Sequence, residues 1–319
     1  MKLQTKIPLE KQSHHLIDYT ANVLLLGSCF VEHIGEKLSY YKFQNLQNPF
    51  GILFHPKAIE TLLAKAFSKN LYLETDIFLH DHQWHCFDSH SKLSATSKEK
   101  LLMDLNAQIH ITHQMLRTAS HLVITLGTAW VYRFIETDRI VANCHKLPQK
   151  QFKKELLLIE TITKTLHFVT DLVKSINPGV TIIFTVSPVR HLKDGFIENT
   201  QSKAHLIAAI RQLLSPRVQS EGLYYFPSYE IMMDELRDYR FYKEDMIHPN
   251  STAVNIIWEK FQQVWISEKA YNTMDDVDRV QKGLKHKPFS QDSKAHIKFL
   301  QDLKNKKDIL QQQFPHITF

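Results

Sequence analysis

Val23-Leu24-Leu25-Leu26-Gly27-Ser28-Cys29-Phe30 is the stretch from which the rest of the chain is read. Four apolar residues run without alternation and end at a glycine. A run this short suits a strand covered on both faces better than a helix. Three more runs repeat the pattern: residues 122–126 (LVITL), 181–186 (TIIFTV) and 223–226 (LYYF), each followed by Gly, Pro or Ser within a residue or two. Helical segments are expected between them. Thr96-x-x-Glu99 is a capping-box signature for a helix reaching about Leu116. Residues 155–176 place Leu158, Ile162, Leu166, Val169 and Val173 on one face and stop at Asn177-Pro178-Gly179. Residues 202–214 and 251–265 complete the set. Strands alternating with helices predict an α/β fold, a three-layer α/β/α sandwich on a mostly parallel, flavodoxin-like sheet. Residues 71–90 alternate and are aromatic-rich, which predicts a small β-rich insertion of hairpin type.

The composition narrows the function. The chain has 319 residues, 43% of them hydrophobic, enough for a sizeable core. Three cysteines make no disulfide framework and point to a reducing cytoplasm. No signal peptide is visible at the N-terminus, and the longest apolar runs fall far short of the ~20 residues of a membrane helix. A soluble, cytoplasmic protein with no membrane partner is expected. The net charge is +6, but residues 281–319 hold eight lysines against three aspartates, with no arginine or glutamate, which leaves +1 for residues 1–280. A near-neutral body gives no nucleic-acid footprint. The basic excess reads as a solvated C-terminal helix, residues 271–319, beside a main domain of residues 1–270.

Ser28 directly follows the first strand, where ligands of open parallel sheets sit and where the amides of the next helix can stabilise an anion. A serine there is an N-cap or, given a base, a nucleophile. The base is offered by Asp245-Met246-Ile247-His248-Pro249. A carboxylate three residues from a histidine on a loop can hold Nδ1–H and leave Nε2 as general base. Pro249 disfavours helix at His248, which keeps that residue on a loop. Cys29 is the rival nucleophile, but it adjoins Ser28 and would point elsewhere. The segment from His80 to His90 is dense in metal-ligand types, with His80 and His82 expected on one face of a strand, yet its spacing fits no closed zinc motif, so no metal and no cofactor are expected. Trp84, His85, Asp88 and His90 either border the cleft or pack the insertion. The loop Asn143-Cys144-His145-Lys146 either brings polar groups toward Ser28 or is an ordinary loop.

Gly27-Ser28-Cys29-Phe30-Val31, with Leu126-Gly127-Thr128-Ala129-Trp130-Val131-Tyr132, Asn143-Cys144-His145-Lys146, Thr185-Val186-Ser187-Pro188-Val189-Arg190-His191 and the Asp245/His248 motif, resembles the GSCFA-domain family over roughly residues 22–265. That bacterial group looks like a branch of the SGNH/GDSL hydrolases. Val31 stands where the signature has alanine. The resemblance implies Ser28 as nucleophile, His248 as base and Asp245 as its orienter. It also implies an oxyanion hole of the Ser28 amide and the Gly51 amide in Asn48-Pro49-Phe50-Gly51. The third block departs from the SGNH pattern: Gly127-Thr128-Ala129 lacks the asparagine of G-x-N, leaving Asn143, the Thr128 hydroxyl or backbone donors as substitutes. The implied activity is hydrolysis of a carboxylic ester, such as a short acyl group on a carbohydrate or small metabolite, through an acyl-enzyme on Ser28. The missing asparagine keeps open a carbohydrate- or metabolite-binding protein that retains the cleft without efficient turnover.

Overall fold

A computed structural model describes residues 5–215, 222–289 and 293–319. In chain order the elements are β1 (Asn22–Gly27), α1 (Cys29–Tyr40), β2 (Gln44–Gln47), α2 (Pro56–Ser68), β3 (Ile77–His80), β4 (Gln83–Cys86), α3 (Lys98–Thr118), β5 (His121–Leu126), β6 (Trp130–Phe134), β7 (Arg139–Val141), β8 (Phe152–Leu156), α4 (Ile159–Ile176) and β9 (Thr181–Val186). They continue with α5 (Phe196–Leu213), β10 (Leu223–Tyr225), the single turn α6 (Ser228–Glu230), α7 (Ser251–Trp265), α8 (Glu268–Lys285) and α9 (Lys294–Gln313).

Five strands form one sheet in the order β10-β9-β5-β1-β2, every pairing parallel. Counted along the chain this is the order 2-1-3-4-5 of flavodoxin-like sheets. The period-2 pleat sorts each strand's side chains between two layers. Leu24 and Leu26 of β1, Leu122, Ile124 and Leu126 of β5, and Ile182, Phe184 and Val186 of β9 pack with α2 to α5. Val23, Leu25, Val123 and Ile183 face α1, α7 and α8. All six residues of β5 and of β9 are buried, which is why their sequences show no alternation. Each fully buried Leu or Ile contributes ~1.5–3 kcal/mol, so these two interfaces hold the sandwich together.

Two small antiparallel sheets decorate this frame. The expected insertion is the hairpin β3–β4, closed by Asp81 and His82, both at positive φ as a type I′ turn demands. His82 therefore lies in the turn, and the expected shared strand face with His80 does not form. The second sheet, β7-β6-β8, uses residues the sequence reading assigned elsewhere: Glu155 and Leu156 end a strand, and the helix begins only at Ile159. The α3 cap is Ser97, whose hydroxyl accepts from the Lys100 amide, one residue after the expected Thr96. At the C-terminus, Tyr271 lies inside α8. Ala270, Met274, Val277 and Val280 of α8 and Leu310 of α9 join the same apolar layer as α1 and α7. Among the described residues no helix is long and apolar enough to cross a membrane.

Gly27 sets how closely β1 and β5 approach at their carboxyl ends. Its φ is +135°, and a Cβ there would stand 2.1 Å from the Thr125 carbonyl oxygen. The neighbour is backbone of a buried strand and cannot swing away. Gly27→Ala should therefore cost ~3 kcal/mol or more, read as a fall in the urea midpoint at unchanged m-value.

Candidate active site

The β1/β5 boundary is the sheet's switch point, where connections leave in opposite directions and a crevice opens beyond the carboxyl ends. Ser28 stands there as N-cap of α1, 1% exposed. Its side chain makes no capping bond, and its Oγ has no hydrogen-bond partner in the protein. The turn is held instead by the Ser28 amide, which donates to Thr125 O at 3.0 Å, and by Asn48. Asn48 Oδ1 accepts from the Gly27 amide at 2.9 Å, leaving Nδ2 buried and unpartnered one residue from Ser28. The first-turn amides of α1, those of Cys29 and Phe30, have no intrahelical acceptor by helix geometry. Cys29 itself is half-buried, and burial foremost raises its thiol pKa, which disfavours the thiolate a rival nucleophile would need.

The Asp245 motif forms a compact loop ahead of α7. Asp245 Oδ1 accepts from the amides of Ile247 (2.8 Å) and His248 (2.9 Å), while Oδ2 meets His248 Nδ1 at 2.7 Å. The carboxylate thus binds both the turn and the ring. With Nδ1 donating to it, Nε2 is left with a lone pair. The His248 amide and side chain and the Ile247 amide hold the Asp245 pKa down to about 2, so it stays ionised at any ordinary pH. The loop is fastened to the strand ends through the segment after β9: the Arg190 amide donates to Ile247 O at 3.2 Å and Arg190 Nη1 to Met246 O at 3.1 Å. Because Ser28 Oγ has no partner, the Ser28–His248 hydrogen bond is not formed in this structure.

The other expected site residues part company. Gly51, at φ +74°, donates its amide to Asn48 O at 2.7 Å, and a Cβ there would meet His90 at 2.4 Å. Gly51 is thus a turn residue with an occupied N–H, as Ser28 has an occupied amide, and neither expected oxyanion donor is free. Thr128 is committed as well: its hydroxyl bonds Ser202 Oγ at 2.8 Å and accepts from the Trp130 amide. Asn143 accepts from the His145 amide at 2.8 Å and lines a cavity of about 330 Å³ with Phe54, His55 and Cys144. His145 is buried with Nε2 on Cys86 O at 2.7 Å, and desolvation lowers its pKa to about 4. His85 stacks 4.6 Å from it, with both ring nitrogens engaged, on Ser94 Oγ and His80 O. Trp84 pairs with Ala95 through backbone hydrogen bonds. The His145 Nε2 bond to Cys86 O and the His85–His145 ring contact therefore tie the hairpin to the loop 142–146, while His145 Nδ1 is buried without a hydrogen-bond partner. Among the described residues no group of three His, Cys, Asp or Glu side chains could hold a metal ion.

Two groups at the strand ends had no role assigned from the sequence: Lys203, and His191 at the end of the 185–191 motif. Lys203 is fully buried, its ammonium donating to Gly127 O and Ser187 O, both at 2.7 Å, just past β5 and β9. Desolvation lowers its pKa to about 7. His191 is largely buried beside Gly127, with Nε2 unpartnered and its pKa lowered to about 3 by desolvation first and by Lys203 and His248. A signal for Lys203 was present: with Ser202, Leu206, Ile210 and Leu213 it occupies the buried stripe of α5.

Burial of Lys203 ties stability to pH. The folded state holds this proton less tightly than the unfolded chain. Below pH 7 both states are charged and the burial penalty stands in full. From about 7 up to the unfolded value of 10.5 the unfolded state binds more protons, so Lys203 makes stability rise with pH. Lys203→Met should remove that slope. Its stability relative to wild type, from urea unfolding, should be ~3 kcal/mol more favourable at pH 6 than at pH 9.5.

These features define a doubly wound α/β protein with a serine at the switch point, a histidine–aspartate loop fastened to the strand ends and a buried lysine between them. The chain belongs to the GSCFA family: the family matches residues 22–261, and the C-terminal domain of GSCFA domain proteins matches residues 277–319. No curated protein matches it.

Proposed function

We propose that the protein is a serine hydrolase of carboxylic esters, of SGNH/GDSL type, acting on a short acyl group carried by a carbohydrate or small metabolite in the cytoplasm. The observation that carries the reading is the loop in which Asp245 holds His248 Nδ1 at 2.7 Å, tied through Arg190 to the strand ends beside Ser28. In this reading His248 Nε2 takes the Ser28 proton as Oγ bonds the ester carbonyl carbon. The tetrahedral oxyanion is received by Asn48 Nδ2, which has no other partner, and by the first-turn amides of α1, which have no intrahelical acceptor. Collapse breaks the ester bond, and His248 returns the proton to the leaving alcohol. Water, activated by the same ring, then releases the acid and restores Ser28. Asn48 thereby stands in for the asparagine missing after Gly127.

The test is pre-steady-state hydrolysis of p-nitrophenyl acetate. A burst of nitrophenolate near one equivalent, suppressed by prior reaction with a fluorophosphonate, is expected. A second reading, a metabolite-binding protein without turnover, is favoured by the buried, unpartnered Ser28 hydroxyl. It predicts no burst and no fluorophosphonate reaction.

A further inference from the structure

We infer that the cavity beside the His248 loop is a recognition site for a carboxylate on the substrate, with Arg190 as the group that receives it. The inference rests on the ester-hydrolase reading for its role, while the binding site itself stands on separate observations. The cavity has a volume of about 320 Å³, within the range of small-ligand pockets, and its walls include Arg190, Phe196, Tyr229, Tyr239 and Tyr242.

Arg190 is its defining group. The guanidinium lies 5.3 Å from the Phe196 ring centre, 5.8 Å from Tyr239 and 5.4 Å from Tyr242. Of its N–H groups, Nη1 donates to Met246 O. Among the described residues no carboxylate forms an ion pair with it, whereas the neighbouring Arg237 is paired with Asp234 at 3.0 Å and Asp238 with Arg240 at 3.9 Å. A guanidinium fixed by rings and one carbonyl keeps its remaining donors in a planar fork, the geometry that receives a carboxylate bidentately. Tyr229 and Tyr242 are half-buried beside it, while Phe196 and Tyr239 stand at the exposed mouth of the cavity, through which a ligand can reach the guanidinium.

The cavity is also connected to the proposed chemistry. Arg190 bonds the carbonyl of Met246 and, through its amide, that of Ile247, the two residues between Asp245 and His248. Tyr229 stacks 5.6 Å from the Lys203 ammonium, which holds the ends of β5 and β9. Asn199, another wall residue, accepts from the His191 amide at 2.9 Å. The pocket and the His248 loop therefore share one support. A substrate whose ester lies at Ser28 would extend its anionic end toward Arg190. The substrate class is thus an ester bearing a carboxylate on a short, apolar chain.

Mono-p-nitrophenyl adipate and p-nitrophenyl hexanoate share a leaving group and differ in a terminal carboxylate against a methyl group. The wild-type protein should prefer the adipate ester by ~10–100-fold in kcat/KM, the discrimination a charge-assisted Arg–carboxylate pair supplies. Arg190→Gln should bring the ratio of the two values close to one, and Arg190→Lys should retain part of it. The ratio is the readout, because any loosening of the Met246 carbonyl affects both esters alike. A ratio unchanged in Arg190→Gln overturns the inference and leaves the hydrolase reading standing. In parallel, calorimetry of adipate on the Ser28→Ala protein should show binding that Arg190→Gln weakens ~10-fold or more. If wild type turns over neither ester, the hydrolase reading fails, and the adipate titration then decides the site: binding that does not depend on Arg190, or no binding, refutes it.

Discussion

Ser28→Ala should abolish ester turnover, lowering kcat for p-nitrophenyl acetate by ~10⁴-fold or more, because the acyl-enzyme then has no oxygen on which to form. The same substitution should leave the fold intact. Ser28 Oγ makes no capping bond to α1 and no other hydrogen bond in the protein, so its removal breaks none and deletes a buried hydroxyl without a partner. Urea unfolding of the variant should therefore match wild type within ~1 kcal/mol or show a small gain. This pairing of a large kinetic effect with an unchanged fold separates a nucleophile from a structural N-cap. A structural N-cap would give the reverse, a loss of ~1 kcal/mol in stability with turnover maintained. The turn that presents Ser28 survives because the Gly27 amide on Asn48 Oδ1 and the Ser28 amide on Thr125 O hold it without the Ser28 hydroxyl.

Asp245→Asn should lower kcat by ~10²–10⁴-fold while keeping the loop in place. Asparagine's Oδ1 can still accept from the Ile247 and His248 amides, so the turn before α7 keeps two of its three carboxylate bonds. The third changes sense. An amide nitrogen facing Nδ1 must donate, which makes Nδ1 the acceptor and places the ring proton on Nε2, where the lone pair is required. The variant should thus lose the base and keep the backbone. Asp245→Ala, which removes all three bonds, should lose both, and its unfolding midpoint should fall below that of Asp245→Asn. Equal midpoints with equal activities would show the carboxylate to be irrelevant to the ring. Since the Asp245 carboxyl is held down to about 2, lowering the pH from 7 to 4 adds no proton to it. A loss of activity in that interval has to come from another group.

Much of the frame was legible because burial on both faces leaves a mark that short windows can read. The runs around Val23, Leu122 and Thr181 are strands since both pleat faces are covered, and Ser28 could be placed at a strand end from the glycine alone. The edge strand β2, Gln44-Asn45-Leu46-Gln47, carried no such mark, because its residues are half-buried and mostly polar. The sheet β7-β6-β8 was hidden for a related reason. In β8 a run of Lys153, Lys154 and Glu155 is stabilised by cross-strand partners such as Arg133, which no local pattern announces. The Asp245–His248 pair was readable because a carboxylate and an imidazole three residues apart on a loop can meet within one turn. Thr128, Gly51, His85 and His145 were expected at the site on resemblance or proximity in the chain. Gly51 instead closes a local turn on Asn48, and Thr128, His85 and His145 bond Ser202, Ser94 and Cys86, partners 9 to 74 residues away that no short sequence window links. Lys203 was visible as a lysine on an apolar helical stripe, but its meaning depends on the carbonyls of Gly127 and Ser187.

The proposed function requires Ser28 to be a nucleophile activated by His248. Its most direct test is peptide mass spectrometry of the protein, wild type and His248→Ala, after reaction with a fluorophosphonate. One phosphonyl adduct on Ser28 in the wild type, with its rate of formation falling at least ~100-fold in His248→Ala, is the expected result. An adduct on Cys29 or any other side chain, no adduct at all, or an equal rate in the variant would contradict it.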